Sequence, residues 1–448
     1  MNNKEKNAKR NTLPSRKAEE KQKEGRKLVW NRNFSLLIGG TVAGAAGGIA
    51  AGYGLSFLVF FETGSVLLSA LVLTARLVPA LLVPLTAGPL LDRLPRKPAL
   101  VWGDLINGIL YLVMGIWLLV QPFSYPVYLL YSMILACASV VDELAFDSIL
   151  PMVITKGQEQ RSYAAAGMVY PFLNIVMMPA AALILQQTGI PPLLLLQGIL
   201  SLLASFLDSR IRLEKDQPKR TAGFSWKTWI SDLQEAGGYL KKEPGLLSFF
   251  SYAAVTNGVA NSCSPVLVAW FSTAPGLSPL LYSAFSVAES IGRTIGSTSQ
   301  YLHQMKPDRK YGFSLMVMSV YNLMDAILLF ISYPLMLVNR CLVGSLGSIS
   351  YTIRASAIQT YIPDGMRARI NSFQNLLFYG VTAVLTVLFG FLGDQLPAPW
   401  VMVCGAGLNT VVLLLTWVRH RKACRKVFLA ESADAEIEPK TECEGSAA

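Results

Sequence analysis

Ten of the charged residues inside the long apolar stretches of this 448-residue chain are candidates: Arg76, Asp104, Asp142, Glu143, Asp147, Glu289, Arg293, Asp325, Arg340 and Arg354. A charge inside a lipid-buried helix is costly, so each marks a candidate site for a substrate, an ion or a proton. Their spacing suggests the chemistry. Glu289 and Arg293 are four residues apart and can pair on one helix face. Asp142 and Glu143 are adjacent, about 100° apart around a helix, so only one can face a central cavity while the other faces a neighbouring helix. Glu143 and Asp147 share a face, where like charges repel. A carboxyl that changes charge as it is exposed to one side or the other is the chemistry proton coupling needs. Asp142, Glu143 and Glu289 are therefore the expected coupling carboxyls, with Arg76, Arg293 and Arg354 as cavity cations. Asn257 and Asn261, with Ser262 and Ser264, form a polar stripe that serves either substrate binding or helix–helix contact. Asp104 and Asp325 are further candidates for substrate binding.

The elements that carry these residues follow from apolar runs of about 18 residues or more, the length that crosses a bilayer. Twelve are present, at 34–61, 65–91, 98–120, 125–150, 163–187, 191–211, 245–271, 278–302, 311–332, 334–361, 371–393 and 397–418. The runs are continuously apolar rather than alternating, which excludes a β-barrel. The expected fold class is an all-α membrane protein with twelve transmembrane helices in two six-helix halves.

Composition agrees. The chain is 52% hydrophobic and only 15% charged, against about 25% charged in a soluble domain. Its net charge of +11 is unevenly placed. All but four of the 39 Lys and Arg lie in alternate loops and in the two terminal tails, and the four exceptions lie inside spans. Basic residues mark the cytoplasmic side, so both termini are expected there, in a plasma-membrane protein. Trp30, Trp117, Trp270, Trp400 and Trp417 sit at span ends, as an interfacial belt requires. The basic tails are read as topology signals and anionic-lipid contacts, not as nucleic-acid binding.

Catalytic classes are not supported. The six cysteines include no CxxC pair, and His303 and His420 are the only histidines, so neither a metal site nor a cofactor is expected. There is no GxxxxGK[ST] loop for ATP, and no nucleophile motif. The expected organisation is a disordered basic tail (1–32), a first bundle (33–211), a linker with an amphipathic helix (212–244), a second bundle (245–418) and a disordered tail (419–448). Placing Arg96–Lys97 over Arg309–Lys310 sets Arg76 opposite Glu289, and placing Pro151 over Pro363 sets Asp142 opposite Arg354. Gly40, Gly44, Gly48 and Gly52 repeat at GxxxG spacing, which predicts close helix packing.

Between the second and third spans runs Gly88-Pro-Leu-Leu-Asp92-Arg93-Leu-Pro95-Arg96-Lys97. It resembles the signature loop of the major facilitator superfamily, G-x-L-x-D-R-x-G-R-K, with Pro95 in place of the second Gly. The linker, with Asp232 and Glu235, and the stretch Tyr361-Ile-Pro363-Asp364-Gly-Met-Arg367-Ala-Arg369 resemble the drug:proton antiporter-3 branch. The resemblance implies a cytoplasmic gate built from Gly88, Asp92, Arg93, Arg96, Lys97, Asp364, Arg367 and Arg369. It places Asp142 or Glu143 facing Arg354 across a cavity. It also implies a monomer whose partners are a small-molecule substrate, protons and membrane lipid. The expected function is proton-coupled efflux of an amphipathic molecule such as a drug, natural product or siderophore, by alternating access. The alternatives are an uptake symporter or facilitator for a nutrient or lysolipid, and a transport-inactive scaffold or receptor.

Overall fold

A computed structural model describes residues 30–91, 95–155, 159–213, 226–302, 307–363 and 366–437. The first six long helices are α1 (Arg32–Thr63), α2 (Val66–Leu91), α3 (Arg96–Val120), α4 (Tyr125–Val153), α5 (Glu159–Thr188) and α6 (Pro191–Ser209). The helix α7 (Trp226–Lys242) follows, then α8 (Pro244–Thr273), α9 (Pro279–Leu302), α10 (Pro307–Ile327), α11 (Tyr333–Tyr361), α12 (Arg367–Gln395), α13 (Ala398–Leu413) and α14 (Arg421–Ile437). Among the described residues no strand occurs.

Local chemistry sets the ends. The Asn31 side chain accepts the Phe34 amide at 2.8 Å and caps α1, while its own amide donates to the Val153 carbonyl at the end of α4. This cap satisfies a donor that the first turn leaves open. Proline opens α6, α8 and α9 at Pro191, Pro244 and Pro279, where the missing N–H costs nothing.

Among the described residues, nine helices are long and apolar enough to cross a membrane: α1 to α6, α10, α12 and α13. The long helices α8, α9 and α11 fall short of that apolarity because they carry Asn257 and Asn261, Glu289 and Arg293, and Arg340 and Arg354. These are also helices that line a cavity, together with α10.

Helices α1 to α6 pack chiefly on one another, through α1 on α6, α3 on α6 and α2 on α4. Helices α8 to α13 do the same, through α9 on α11, α8 on α12 and α10 on α13. The two bundles meet mainly through α2 on α12 and α5 on α9.

Two expectations change. The stretch after 419 is not wholly disordered: α14 is a helix whose Cys424, Val427 and Phe428 are buried. Phe428 packs on Phe249 and Trp417. Buried positions at i, i+3 and i+4 are a helical stripe, short enough to read as a polar tail. The glycine stripe of α1 also differs. Gly40, Gly47 and Gly54 meet Asp208, Gln197 and Leu193 of α6, whereas Gly44 and Gly52 face open space. The packing face therefore recurs every seven residues, not every four.

Candidate functional site

The bundles are joined at the end opposite the basic loops. Helix α1 stops at Gly64, whose φ of 67° lies in the left-handed region that glycine adopts without strain. The turn brings the start of α2 against the end of α12. There the Asp394 carboxylate accepts from the Ser65 hydroxyl at 2.7 Å, the Val66 amide at 2.7 Å and the Leu67 amide at 3.3 Å. The first amides of a helix have no partner within it, and a carboxylate there also meets the positive end of the helix. Nearby, the Tyr53 hydroxyl of α1 donates to the Pro279 carbonyl of α9, and Tyr53 and Phe57 pack on Tyr282. Gly390 and Gly393 let α12 lie directly on Ala70, Leu67 and Val66 of α2. Asn174 of α5 donates to Ser290 of α9 at mid-depth.

The second bundle holds a charge network. At Gly292, Gly296 and Gly344 a side chain would collide with backbone of Cys341, Ser345 and Glu289, so α9 and α11 touch backbone to backbone. That approach sets Glu289 beside Arg340. Glu289 pairs with Arg293 at 2.6 Å through one oxygen and with Arg340 at 2.9 Å through the other. Arg340 reaches Asp325 of α10 at 3.0 Å and lies over the Phe285 ring. Two cations and two anions cancel, and only Arg293 is largely exposed. Pairing of this kind lets charge persist at membrane depth.

Beside this network lies a cavity of about 360 Å³ between α8, α9, α10 and α11, within the size range of small-molecule sites. Arg354, Tyr252, Tyr321, Tyr351 and Asn257 line it. Arg354 donates from Nε to the Ser350 carbonyl at 3.1 Å and lies 5.9 Å from the centre of the Tyr252 ring. Among the described residues no carboxylate meets it. A wider, mostly apolar groove of about 790 Å³ runs between α5 and α9 and reaches Glu289 and Arg293 from the other side.

The first bundle is the electrostatic opposite. Asp104 of α3 is 9% exposed and Asp208 of α6 only 3%. The two carboxyls lie close enough to act on one another electrostatically. Asp142 of α4 joins the group: one oxygen takes the Asn107 amide at 3.4 Å, and the other is buried without a partner. One Asp208 oxygen is likewise unpartnered. Gly103 and Gly40 leave the space that the Asp142 and Asp208 carboxyls fill. Among the described residues no basic side chain meets these three acids.

The candidate residues divide accordingly. Glu289, Arg293, Arg354 and Asn257 come together at the second-bundle cavity, and Asp325 joins through Arg340. Asp142 and Asp104 meet in the first bundle. Glu143 is exposed and lies close enough to Tyr379 of α12 to act on it electrostatically. Asp142 and Arg354 are not brought together, because Asp142 turns into its own bundle. Arg76 sits apart, in a small cavity of about 90 Å³ with Ser56, Ser69, Tyr128 and Ser264. Asn257 and Asn261 donate to carbonyls of their own helix.

Of the expected gate, Asp92, Arg93 and Asp364 lie outside the described residues, as do the side chains of Gly88 and Arg367. Lys97 is on the first turn of α3, and Arg96 donates to the Ser148 carbonyl of α4 at 3.0 Å. Arg369 instead holds the linker, pairing with Asp232 and Glu235 of α7 at 2.9 Å each. Sequence reasoning missed Asp208, which lies at a helix end two residues before Arg210 and reads as an interfacial charge. It also missed Asp394, whose partners are backbone amides with no sequence signal.

The comparisons agree with this geometry. Solved structures that share the fold include a nucleoside transporter, NupG (TM-score 0.65, 15% identity), a point mutant of it (0.66, 13%) and an auto-inhibited POT family peptide transporter (0.65, 12%). Each covers 87% of this chain, and between 97% and 100% of the other. No curated protein sequence matches the chain. The Major Facilitator Superfamily matches residues 34–381. The chain therefore belongs to the Major Facilitator Superfamily and is a multi-pass membrane transporter.

Proposed function

We propose that the protein is a proton-coupled exporter of an amphipathic small molecule. It works as a monomer in the plasma membrane, with twelve spans in two halves and both termini cytoplasmic. The observation that carries the coupling is the acid group Asp104, Asp142 and Asp208. Three carboxyls packed at membrane depth without a cation must be neutralised, and protons are the means the site offers. The direction follows from the resemblance to the drug:proton antiporter-3 branch, and the closure at Asp394, on the side away from the basic loops, fits an exporter's loading step. This is the state that loads from the cytoplasm. The cavity near Arg354 and the apolar groove between α5 and α9 suit a molecule with both a polar and an apolar part.

Transport then proceeds by rocking of the halves. Substrate enters the cavity, the Asp394 contacts release, and a proton taken from outside returns the carrier.

Everted membrane vesicles with an acid lumen test this with a panel of fluorescent amphipathic compounds. Protein-dependent accumulation that a proton ionophore abolishes is the expected result. Accumulation only in right-side-out vesicles would assign uptake instead, and accumulation that survives the ionophore would remove proton coupling.

A further inference from the structure

We propose that Arg354 is the binding residue for an anionic group on the substrate, so that the transported molecule is an amphipathic organic carboxylate rather than a cationic or neutral drug. This rests on the transport reading above and names the substrate class for that cavity.

Charge accounting inside the second bundle is the basis. Its deep charges are Glu289, Arg293, Asp325, Arg340 and Arg354. Both anions are taken: Glu289 by Arg293 and Arg340, and Asp325 by Arg340. Arg354 is the remainder: it lines the cavity with Arg293, but unlike Arg293 it meets no carboxylate among the described residues. Nε donates to the Ser350 carbonyl. The two terminal amino groups, with four N–H donors, meet no acceptor among the described residues. An unpaired guanidinium at this depth is expensive. Its planar fork matches a carboxylate in two parallel hydrogen bonds.

The rest of the wall describes the remainder of the ligand. Tyr252, Tyr321 and Tyr351 present rings, and Val317, Met318 and Val343 present aliphatic surface. Gly344 and Gly347 keep α11 flat at this level. This lining favours an aromatic or apolar body attached to the anion, over a small inorganic ion. The carboxylates of the first bundle are not the partner, because Asp142 is turned toward Asn107 and Asp104 within its own helices.

The test is binding to the purified full-length protein in detergent, which needs no gradient. The probes are 1-naphthoate, naphthalene-1-carboxamide and 1-naphthylmethylammonium, which share one ring system, followed by calorimetric titration and thermal shift. The expected result is at least tenfold tighter binding of naphthoate than of the other two. In Arg354→Gln that preference disappears, and Arg354→Lys restores part of it. Equal binding of the three probes to the wild-type protein would overturn the proposal without needing any variant, as would absence of naphthoate binding at millimolar concentration. A retained preference in Arg354→Gln would also overturn it. A further arm adds chloride to a low-salt buffer free of carboxylates. Stabilisation by chloride that equals and abolishes the naphthoate effect would assign an inorganic-anion site instead. Failure of proton coupling in vesicles, with naphthoate preference intact, would sink the export mechanism and leave the anion site standing.

Discussion

The carboxylate of Asp394, at the end of α12, accepts the backbone amide of Val66, at the start of α2, at 2.7 Å. One residue of the second bundle thus caps a helix of the first. Capping interactions contribute about 1 kcal/mol each, enough to bias two packings of the bundles but not to lock them.

Asp394→Ala removes this cap. The ratio of closed to open at this end is expected to fall roughly fivefold, as a cap of about 1 kcal/mol implies. Spin labels on Glu62 and Gln395 report the change by pulsed-dipolar distance measurement. The variant should gain a longer-distance population, and an unchanged distribution would mean the cap does not set the closure.

Arg340 stands between Glu289 and Asp325, so removing it strands two buried carboxylates. Arg340→Met should cost about 3–5 kcal/mol, the usual penalty for breaking a buried ion pair from one side. Arg293→Gln should cost under about 1 kcal/mol, because Arg293 is mostly exposed. Thermal unfolding in detergent checks both. Equal losses would mean that the network is not centred on Arg340.

The contact of α9 with α11 makes a similar contrast among glycines. Gly344→Val forces a side chain into the Glu289 backbone carbonyl, which cannot yield. The expected loss exceeds about 2 kcal/mol and separates Glu289 from Arg340. Gly44→Ala meets open space and should be neutral. Comparing their melting temperatures with the wild type tests the reading.

These relationships explain what was legible in the sequence. Long apolar runs placed the helices because lipid burial demands continuous apolar sequence. The Glu289–Arg293 pair was legible because it lies on one helix at fixed spacing. The partnership of Glu289 with Arg340 was not, since it depends on how closely α9 meets α11. Asp208 was missed because its burial comes from Gly40 and Asp104 on other helices. The resemblance set Asp142 or Glu143 facing Arg354; Asp142 instead meets Asn107 of its own bundle, because the order of helices does not fix which way a side chain turns. The helix α14 was hidden in a polar tail because its apolar face is only Cys424, Val427 and Phe428.

The central claim is that the group Asp104, Asp142 and Asp208 carries the coupling proton. Asparagine is nearly isosteric with a carboxyl and cannot exchange a proton. The most direct measurement is transport by Asp208→Asn and Asp142→Asn in proteoliposomes, with substrate counterflow and pH-gradient-driven flux recorded on the same preparation. Counterflow within about twofold of the wild type, with gradient-driven flux reduced at least tenfold, is the predicted result. Gradient-driven flux equal to the wild type in both variants would contradict it.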